Sequence, residues 1–150
     1  MTNEIRKQAI LKAPRDRVWR AISDTSDFAT WFRMTLDGPF EPGRTLKGRV
    51  DFPQYAHLTF TVVVEKLEPK HHVSWRWHPH ALDEHHDYSA EPMTLVSFDL
   101  EDAEGGTMLT IVESGFDAIP AERRETAFRG NEGGWTGQMK NITAHVERDA

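Results

Sequence analysis

The sequence predicts an α+β fold in which a curved antiparallel sheet wraps around one long C-terminal helix. Residues 57–67 and 73–78 alternate apolar and polar side chains with the period of two that strands require. A further strand, residues 107–113, runs through Ser114-Gly115-Phe116 into a helical pattern, and from Ile119 onward the period is 3.6. A helix laid across the mouth of a curved sheet is an architecture that can hold an apolar molecule.

The first elements are a strand and two short helices. Residues 5–12 alternate in the manner of a strand with both faces partly covered. Pro14 suits the first turn of a helix, where its missing N–H costs nothing. Ser26 is a favourable N-cap, so we expect a second short helix over residues 27–32.

Paired strands follow these helices. Glu41-Pro42-Gly43-Arg44 is a turn signal between two strands, and Glu68-Pro69-Lys70 and Glu104-Gly105-Gly106 separate two further pairs. Because each connection is too short for a crossover helix, the pairs are expected to be antiparallel hairpins. The predicted strands are residues 34–40, 45–52, 57–67, 73–78, 94–100 and 107–113. With the first strand, the sheet has about six to seven strands.

The long helix is predicted to begin at Pro120 and to end near Val146. Its apolar side chains fall on one stripe, which must face apolar surface. The stripe consists of Phe128, Trp135, Met139, Ile142 and Val146. Gly130, Gly134 and Gly137 line a neighbouring stripe, each at a cost of about 1 kcal/mol relative to alanine. Two structural features could offset that cost. One is close packing of the helix on the sheet, which we favour, and the other is a need for open volume or a bend beside Trp135.

Composition limits the domain count and the partners. A chain of 150 residues with 38% hydrophobic content is enough for one core, so we expect one domain over residues 1–150. The net charge of −6 and the scattered basic residues disfavour a nucleic-acid partner. The absence of cysteine fits a reducing compartment. No apolar run approaches the roughly 18–20 residues of a spanning helix, and the first residues do not have the pattern of a signal peptide. We therefore expect a cytoplasmic protein that does not insert into membranes.

The order of strand, two short helices, six strands and one long helix is the helix-grip (START/Bet v-like) arrangement. Four short motifs accompany this order, namely Ala13-Pro14 with Val18-Trp19, Trp31-Phe32, Ser114-Gly115-Phe116 and Gly134-Trp135. In these motifs the chain resembles the START-like SRPBCC superfamily and, within it, the homologues of the activator of heat-shock protein 90 ATPase. The motifs consist of packing and turn residues, so they predict a fold and say little about chemistry.

The resemblance implies a cavity between the sheet and the C-terminal helix, since members of the superfamily bind lipids, polyketides, hormones or other apolar molecules. The expected walls are the inward residues of the strands and the apolar stripe of the helix. The candidate ligand-cavity residues are Trp31, Phe32, Phe52, Phe60, Trp75, Trp77, Phe98, Phe128, Trp135 and Met139. Each of these aromatic side chains could instead be ordinary core.

Three functional hypotheses remain open from the sequence. The preferred one is a non-enzymatic module that binds a small hydrophobic or amphipathic ligand, with no cofactor. The second, implied by the resemblance, is a chaperone-associated protein that modulates a heat-shock protein 90 type ATPase. The third is a cyclase-like or hydrolase-like enzyme acting on an apolar substrate. For this third class Glu113, Arg76 and Asp99 are the strand residues considered, but Arg76 is expected to face outward if Trp75 and Trp77 face inward.

Residues 71–87 concentrate six of the eight histidines in one strand and the loop after it. Imidazoles and carboxylates at this density can chelate transition metals. The weak metal candidates are His78, His80, His85 and His86, with Asp87 beside them. No fixed ligand spacing is present, so a polar, solvated loop at the rim of the sheet is the favoured interpretation, and no catalytic residue is assigned.

Overall fold

A computed structural model describes residues 3–148. Seven antiparallel strands form one sheet in the order β1-β7-β6-β5-β4-β3-β2. The strands are β1 (Glu4–Leu11), β2 (Met34–Leu36), β3 (Thr45–Val50), β4 (Phe60–Glu68), β5 (His72–Trp77), β6 (Thr94–Ala103) and β7 (Gly106–Ser114). The helices are α1 (Arg15–Ser23), α2 (Thr25–Phe32) and α3 (Ala121–Glu147), with a 3-10 turn at Phe116–Ala118. This is the predicted helix-grip fold, and its element order is the predicted one.

The inner face of the sheet is set by strict alternation along β6 and β7. Val96 pairs with Glu113, Phe98 with Ile111 and Leu100 with Leu109, and these six side chains are buried together. Because successive side chains of a strand point to opposite faces, every second residue of β6 and β7 enters the core. Glu113 therefore lies at a core position, in phase with apolar neighbours.

Two short helices close one end of the curved sheet. Pro14 is the N-cap residue of α1, where a proline has no N–H to leave unpaired. The N-cap of α2 is Asp24, whose carboxylate accepts from the backbone N–H groups of Ser26 and Asp27. The predicted cap, Ser26, was wrong because Asp24 offers a carboxylate two residues earlier and so adds two residues to the helix. Trp31 on α2 donates its indole N–H to the Ala21 carbonyl over 2.8 Å.

The long helix α3 packs against β1 and α2. Its buried residues are Ala127, Trp135, Met139, Ile142 and Val146. The predicted stripe is thus correct except at its first member, because Phe128 is only half-buried and packs edge-on against Phe116. Gly115, with φ of 100°, makes the turn from β7 toward α3 in a conformation that favours glycine.

Several strands are shorter than the sequence predicted. β2 ends at Leu36 and β3 at Val50, while β4 begins at Phe60. The residues left out form loops 37–44 and 51–59, which contain prolines and exposed polar side chains that cannot extend a ladder. Loop 51–59 and the long loop between β5 and β6 lie at the same end of the sheet, where they meet the middle of α3.

Candidate functional site

A cavity of about 230 Å³ lies between the sheet and α3. Every layer of the fold contributes to its walls: α2, strands β2 to β5, the loops after β3 and β5, and α3. Its lining residues are Phe32, Met34, Val50, Phe52, Tyr55, Phe60, Trp77, His78, His80, Ala81, Leu82, Asn131, Gly134, Trp135 and Gln138. Most of these side chains are aromatic or aliphatic, and the rest are uncharged amides, a phenol and imidazoles.

Three aromatic rings converge on one side of the cavity. The ring centroids of Trp77 and Trp135 are 6.1 Å apart, and Phe32 lies 5.8 Å from Trp135 and 6.2 Å from Trp77. The planes are tilted by 42° to 56°, so none of the three pairs is stacked face to face. Rings at these spacings attract one another and hold a fixed apolar surface open to the cavity.

Glu113 lies directly behind this aromatic wall and is fully buried. One carboxylate oxygen accepts the Trp135 indole N–H over 2.8 Å and the Asn131 amide over 2.9 Å. The other oxygen accepts the Trp77 indole N–H over 2.8 Å and the Thr94 hydroxyl over 2.5 Å. Four uncharged donors from β5, β6 and α3 thus satisfy one carboxylate, and buried polar groups require such satisfaction. Glu113 ties the sheet side of the cavity to the helix side.

Asn131 has a polar atom left over at the cavity. Its Nδ2 group is committed to Glu113, at 2.9 and 3.2 Å from the two oxygens. Its Oδ1 atom accepts no hydrogen bond from residues 3–148. Gln138, by contrast, uses both ends of its amide, since Nε2 donates to the Phe32 carbonyl and Oε1 accepts from Asn141. The free acceptor of the helix wall is therefore Asn131 Oδ1.

His80 adjoins Asn131 on the loop after β5. A Cβ atom added to Gly130 would lie 2.6 Å from His80 Nδ1, so glycine is required there for the imidazole to approach the helix. Burial of the ring lowers the pKa of His80 below its ordinary value of 6.5, and the nearby charge of Arg123 lowers it further. The imidazole is consequently neutral at pH 7.

The loop that carries His80 is fastened to the start of α3. Arg123 donates to Glu91 and to the Pro79 carbonyl, both over 2.8 Å, and its guanidinium lies 4.8 Å from the centre of the Tyr88 ring. Burial raises the pKa of Glu91, but hydrogen bonds from His86 and Arg123 outweigh that effect and hold it below its usual value. The part of the loop that borders the cavity is therefore held in place by contacts with α3, and it is not a free solvated segment.

Half of the ten predicted ligand-cavity residues line the cavity. Those that do are Phe32, Phe52, Phe60, Trp77 and Trp135. Those that do not are Trp31, Trp75, Phe98, Phe128 and Met139. Trp31, Trp75 and Phe98 are fully enclosed by other side chains and act as core. Phe128 lies against Phe116, and Met139 is on the buried stripe of α3 beyond the end of the cavity.

The helix glycines behave differently from the favoured interpretation. A Cβ atom on Gly134 or Gly137 would meet nothing within 4 Å, so neither glycine serves close packing on the sheet. Gly134 lines the cavity, in keeping with the other interpretation, open volume beside Trp135. Gly130 does serve close packing, but its partner is the His80 ring of a loop. The correction follows from geometry, because Gly134 and Gly137 are exposed residues of α3 and are not packed against the strands.

The histidine candidates lie apart from one another. His78 and His80 line the cavity, His86 pairs with Glu91 at 2.7 Å, and His85 is exposed. Within residues 3–148, no three His, Cys, Asp or Glu side chains are grouped so that they could hold a metal ion. Residues 83–87 are exposed, as predicted for a solvated loop, while residues 79–82 are buried or half-buried. A more polar depression of about 490 Å³ borders the same loop and shares Phe60, Trp77, His78 and Ala81 with the cavity.

Of the three ionisable strand residues considered from the sequence, only Glu113 faces inward. Arg76 points outward and pairs with Glu65 at 3.0 Å, as its alternation with Trp75 predicted. Asp99 also lies on the outer face, where its carboxylate is 2.7 Å from His72 Nδ1. The sequence contained a signal for the central role of Glu113, since it is the one acidic residue in phase with Leu109 and Ile111. Its four donors could not be identified without the fold.

A family model described as Activator of Hsp90 ATPase homolog 1-like protein matches residues 12–147. The chain belongs to this family. Membership confirms the resemblance carried by the packing and turn residues at both ends of the chain. The match begins at the residue after β1 and runs to the end of α3, so every residue that lines the cavity lies within it.

Solved structures similar to this member of the Hsp90-activator family share its fold at low sequence identity. Protein MLL2253 from Mesorhizobium loti is 19% identical, with 98% of each chain covered and a TM-score of 0.77. Protein Ms6760 from Mycobacterium smegmatis is 18% identical over 99% of this chain and 94% of the other, with a TM-score of 0.75. The Aha1 dimer from Colwellia psychrerythraea is 19% identical over 98% and 97%, with a TM-score of 0.73.

No curated protein matches the chain. Among the described residues, no helix is long and apolar enough to cross a membrane. At identities below 20%, the three structures are evidence for the fold alone. Any activity must therefore be argued from this chain's own cavity.

Proposed function

We propose that the protein binds a small hydrophobic or amphipathic molecule in the cavity between the sheet and α3. The observation that carries the proposal is the aromatic wall. Trp77 and Trp135 keep their N–H groups on Glu113 while their rings line open volume. Large rings normally fill space in a protein interior, which is packed as densely as an organic crystal. Rings that are held rigidly beside an unfilled space are prepared for a ligand.

The size of the cavity sets the size of the ligand. A dry cavity of about 150 Å³ is enough for one benzene molecule. The volume of about 230 Å³ therefore suits a single ring with one or two substituents. Drug-sized ligands occupy pockets of roughly 300–1,000 Å³, so a larger ligand would require the loops to move.

Gly134 offers a substitution that closes the cavity without harming the helix. A leucine side chain there would enter space in which no other atom lies within 4 Å of Cβ. Leucine is also a better helix former than glycine, by roughly 0.8 kcal/mol. Gly133 is the matched control, because it lies on the same helix with equally free surroundings but does not line the cavity.

Ethylbenzene is a suitable purely apolar probe, and its binding can be followed through the indole N–H signals of Trp77 and Trp135 in ¹H–¹⁵N spectra. We expect the wild type and Gly133→Leu to bind it equally and Gly134→Leu to bind at least tenfold more weakly. Equal binding by both leucine variants, or no binding by the wild type, would contradict the proposal. Native mass spectrometry of untagged protein would add the ligand class if an organic adduct is retained.

A chaperone-associated role is the second hypothesis, and the description of the family is the observation that favours it. It predicts that adding the protein changes the ATP hydrolysis rate of an Hsp90-type chaperone. An unchanged rate at saturating protein would remove this hypothesis and leave ligand binding untouched. Wild type and Gly134→Leu should give the same rate if chaperone contact and cavity are independent.

A further inference from the structure

The lining of the cavity is mostly apolar, and two of its polar members, Asn131 and His80, form a corner with a defined chemistry. Asn131 and His80 meet there, since the imidazole packs on Gly130, the residue before Asn131. Glu113 fixes the orientation of the Asn131 amide, because a carboxylate only accepts hydrogen bonds and therefore takes the N–H₂ group. The same carboxylate also accepts the indole N–H groups of Trp77 and Trp135. An acceptor, Oδ1, is consequently the part of the amide that remains for a ligand.

A negative charge is disfavoured at this corner. The Glu113 carboxylate lies directly behind Asn131, at 2.9 Å from Nδ2. No lysine or arginine is among the described residues that line the cavity. The His80 imidazole is held neutral by burial and by Arg123. An anion transferred into this site would lose its hydration and gain no opposite charge in return.

We propose that the cavity takes an aromatic molecule that carries one hydrogen-bond donor and no negative charge, with the donor on Asn131 Oδ1. This inference rests on the proposed function, because it names the class of ligand for the same cavity. The aromatic part follows from the three tilted rings of Trp77, Trp135 and Phe32, which all line the cavity and which attract a further ring in edge-to-face or offset arrangements. The donor follows from the free acceptor, which an apolar ligand would leave desolvated and unpaired.

Three probes of one shape separate these requirements: 4-ethylphenol, ethylbenzene and 4-ethylbenzoate, titrated at pH 7 into the 150-residue protein. We expect 4-ethylphenol to bind about two- to thirteen-fold tighter than ethylbenzene, the value of one net hydrogen bond. We expect 4-ethylbenzoate to bind at least tenfold more weakly than ethylbenzene. In the wild type, 4-ethylphenol but not ethylbenzene should shift the side-chain amide signals of Asn131.

Two variants locate the donor. Asn131→Leu removes the acceptor, so the preference for 4-ethylphenol over ethylbenzene should fall to about onefold. Thr94→Val is the matched control, because it removes a different donor from Glu113 at a residue that does not line the cavity. It should retain the preference. If Asn131→Leu does not fold, the amide shift in the wild type decides the question alone.

The outcomes distinguish the two proposals. Equal affinity for 4-ethylphenol and ethylbenzene, with both lost in Gly134→Leu, would overturn the ligand class and leave cavity binding intact. Tighter binding of 4-ethylbenzoate than of ethylbenzene would also overturn it. Failure of all three probes to bind the wild type would overturn cavity binding and the ligand class together.

Discussion

Replacing Glu113 by glutamine should destabilise the protein although the two side chains have the same shape. A carboxylate accepts on both oxygens, whereas an amide has one acceptor and one donor. In either orientation of the amide, its N–H₂ group faces an indole, Trp135 in one case and Trp77 in the other. An indole N–H can only donate, so one buried tryptophan is left without its acceptor.

The expected cost can be estimated from the four donors. A hydrogen bond to a charged group contributes about 1.5–3 kcal/mol and one between neutral groups about 0.5–1.5 kcal/mol, so the substitution loses roughly 1 kcal/mol per donor. The unpaired indole adds about 1–3 kcal/mol, while removing a buried charge offsets part of the total. We expect a net loss of about 3 kcal/mol, or a fall in Tm of about 6–12 °C for a chain of this length.

Urea unfolding followed by tryptophan fluorescence measures this loss directly, and ¹H–¹⁵N spectra show which indole has lost its acceptor. Glu101→Gln is the matched control, because Glu101 is an exposed residue of the neighbouring strand β6 and should change stability by less than about 0.5 kcal/mol. A Glu113→Gln protein as stable as the control variant would refute the argument that the carboxylate holds the wall together.

Two further predictions concern stability at Gly130 of α3 and at Asp27 of α2. Gly130→Ala should not give the gain in stability of about 1 kcal/mol that alanine gives at an unhindered helix position, because its Cβ meets His80. Chemical denaturation and the NMR signals of the His80 ring test this. A full gain in stability with unchanged His80 signals would disprove the contact. Asp27→Asn should cost about 1–3 kcal/mol near pH 7, since its carboxylate accepts from Arg17 over 2.8 Å and from His145 over 2.9 Å. Burial raises the pKa of Asp27, yet these two hydrogen bonds bring it below the ordinary 3.8. Its contribution is thus present above about pH 4 and lost as the pH falls through the depressed pKa. The urea midpoints of wild type and Asp27→Asn should therefore converge as the pH is lowered below about 4, and a gap that does not narrow there would contradict this linkage.

The fold could be predicted from the sequence because its signals are local. Alternation along residues 94–100 and 107–113 and the change of period after Ile119 each describe one element. Turn residues between strands then leave few ways to connect them. The errors at the ends of elements, such as Ser26 in place of Asp24, arose where two neighbouring residues can both cap a helix.

The cavity was predicted less completely because a sequence does not say where packing stops. Trp75 and Trp77 share one face of β5, but Trp75 is fully enclosed and Trp77 borders open volume. The difference depends on residues of other elements, such as Gly134 of α3, which also lines the cavity and whose absent side chain leaves open space. Contacts of this kind join residues far apart in the chain, so periodicity within one element cannot reveal them.

Glu113 and its four donors also bear on how the ligand preference of such a cavity can change between related proteins. Its donors come from β5, β6 and α3, so the rear wall is fastened by the same bonds that join sheet to helix. The opposite wall comes from loops, through Phe52, Tyr55 and Leu82. Substitutions in those loops alter the shape offered to a small molecule without touching the fastening. Relatives with one architecture can therefore acquire different chemical preferences while each keeps a foldable core.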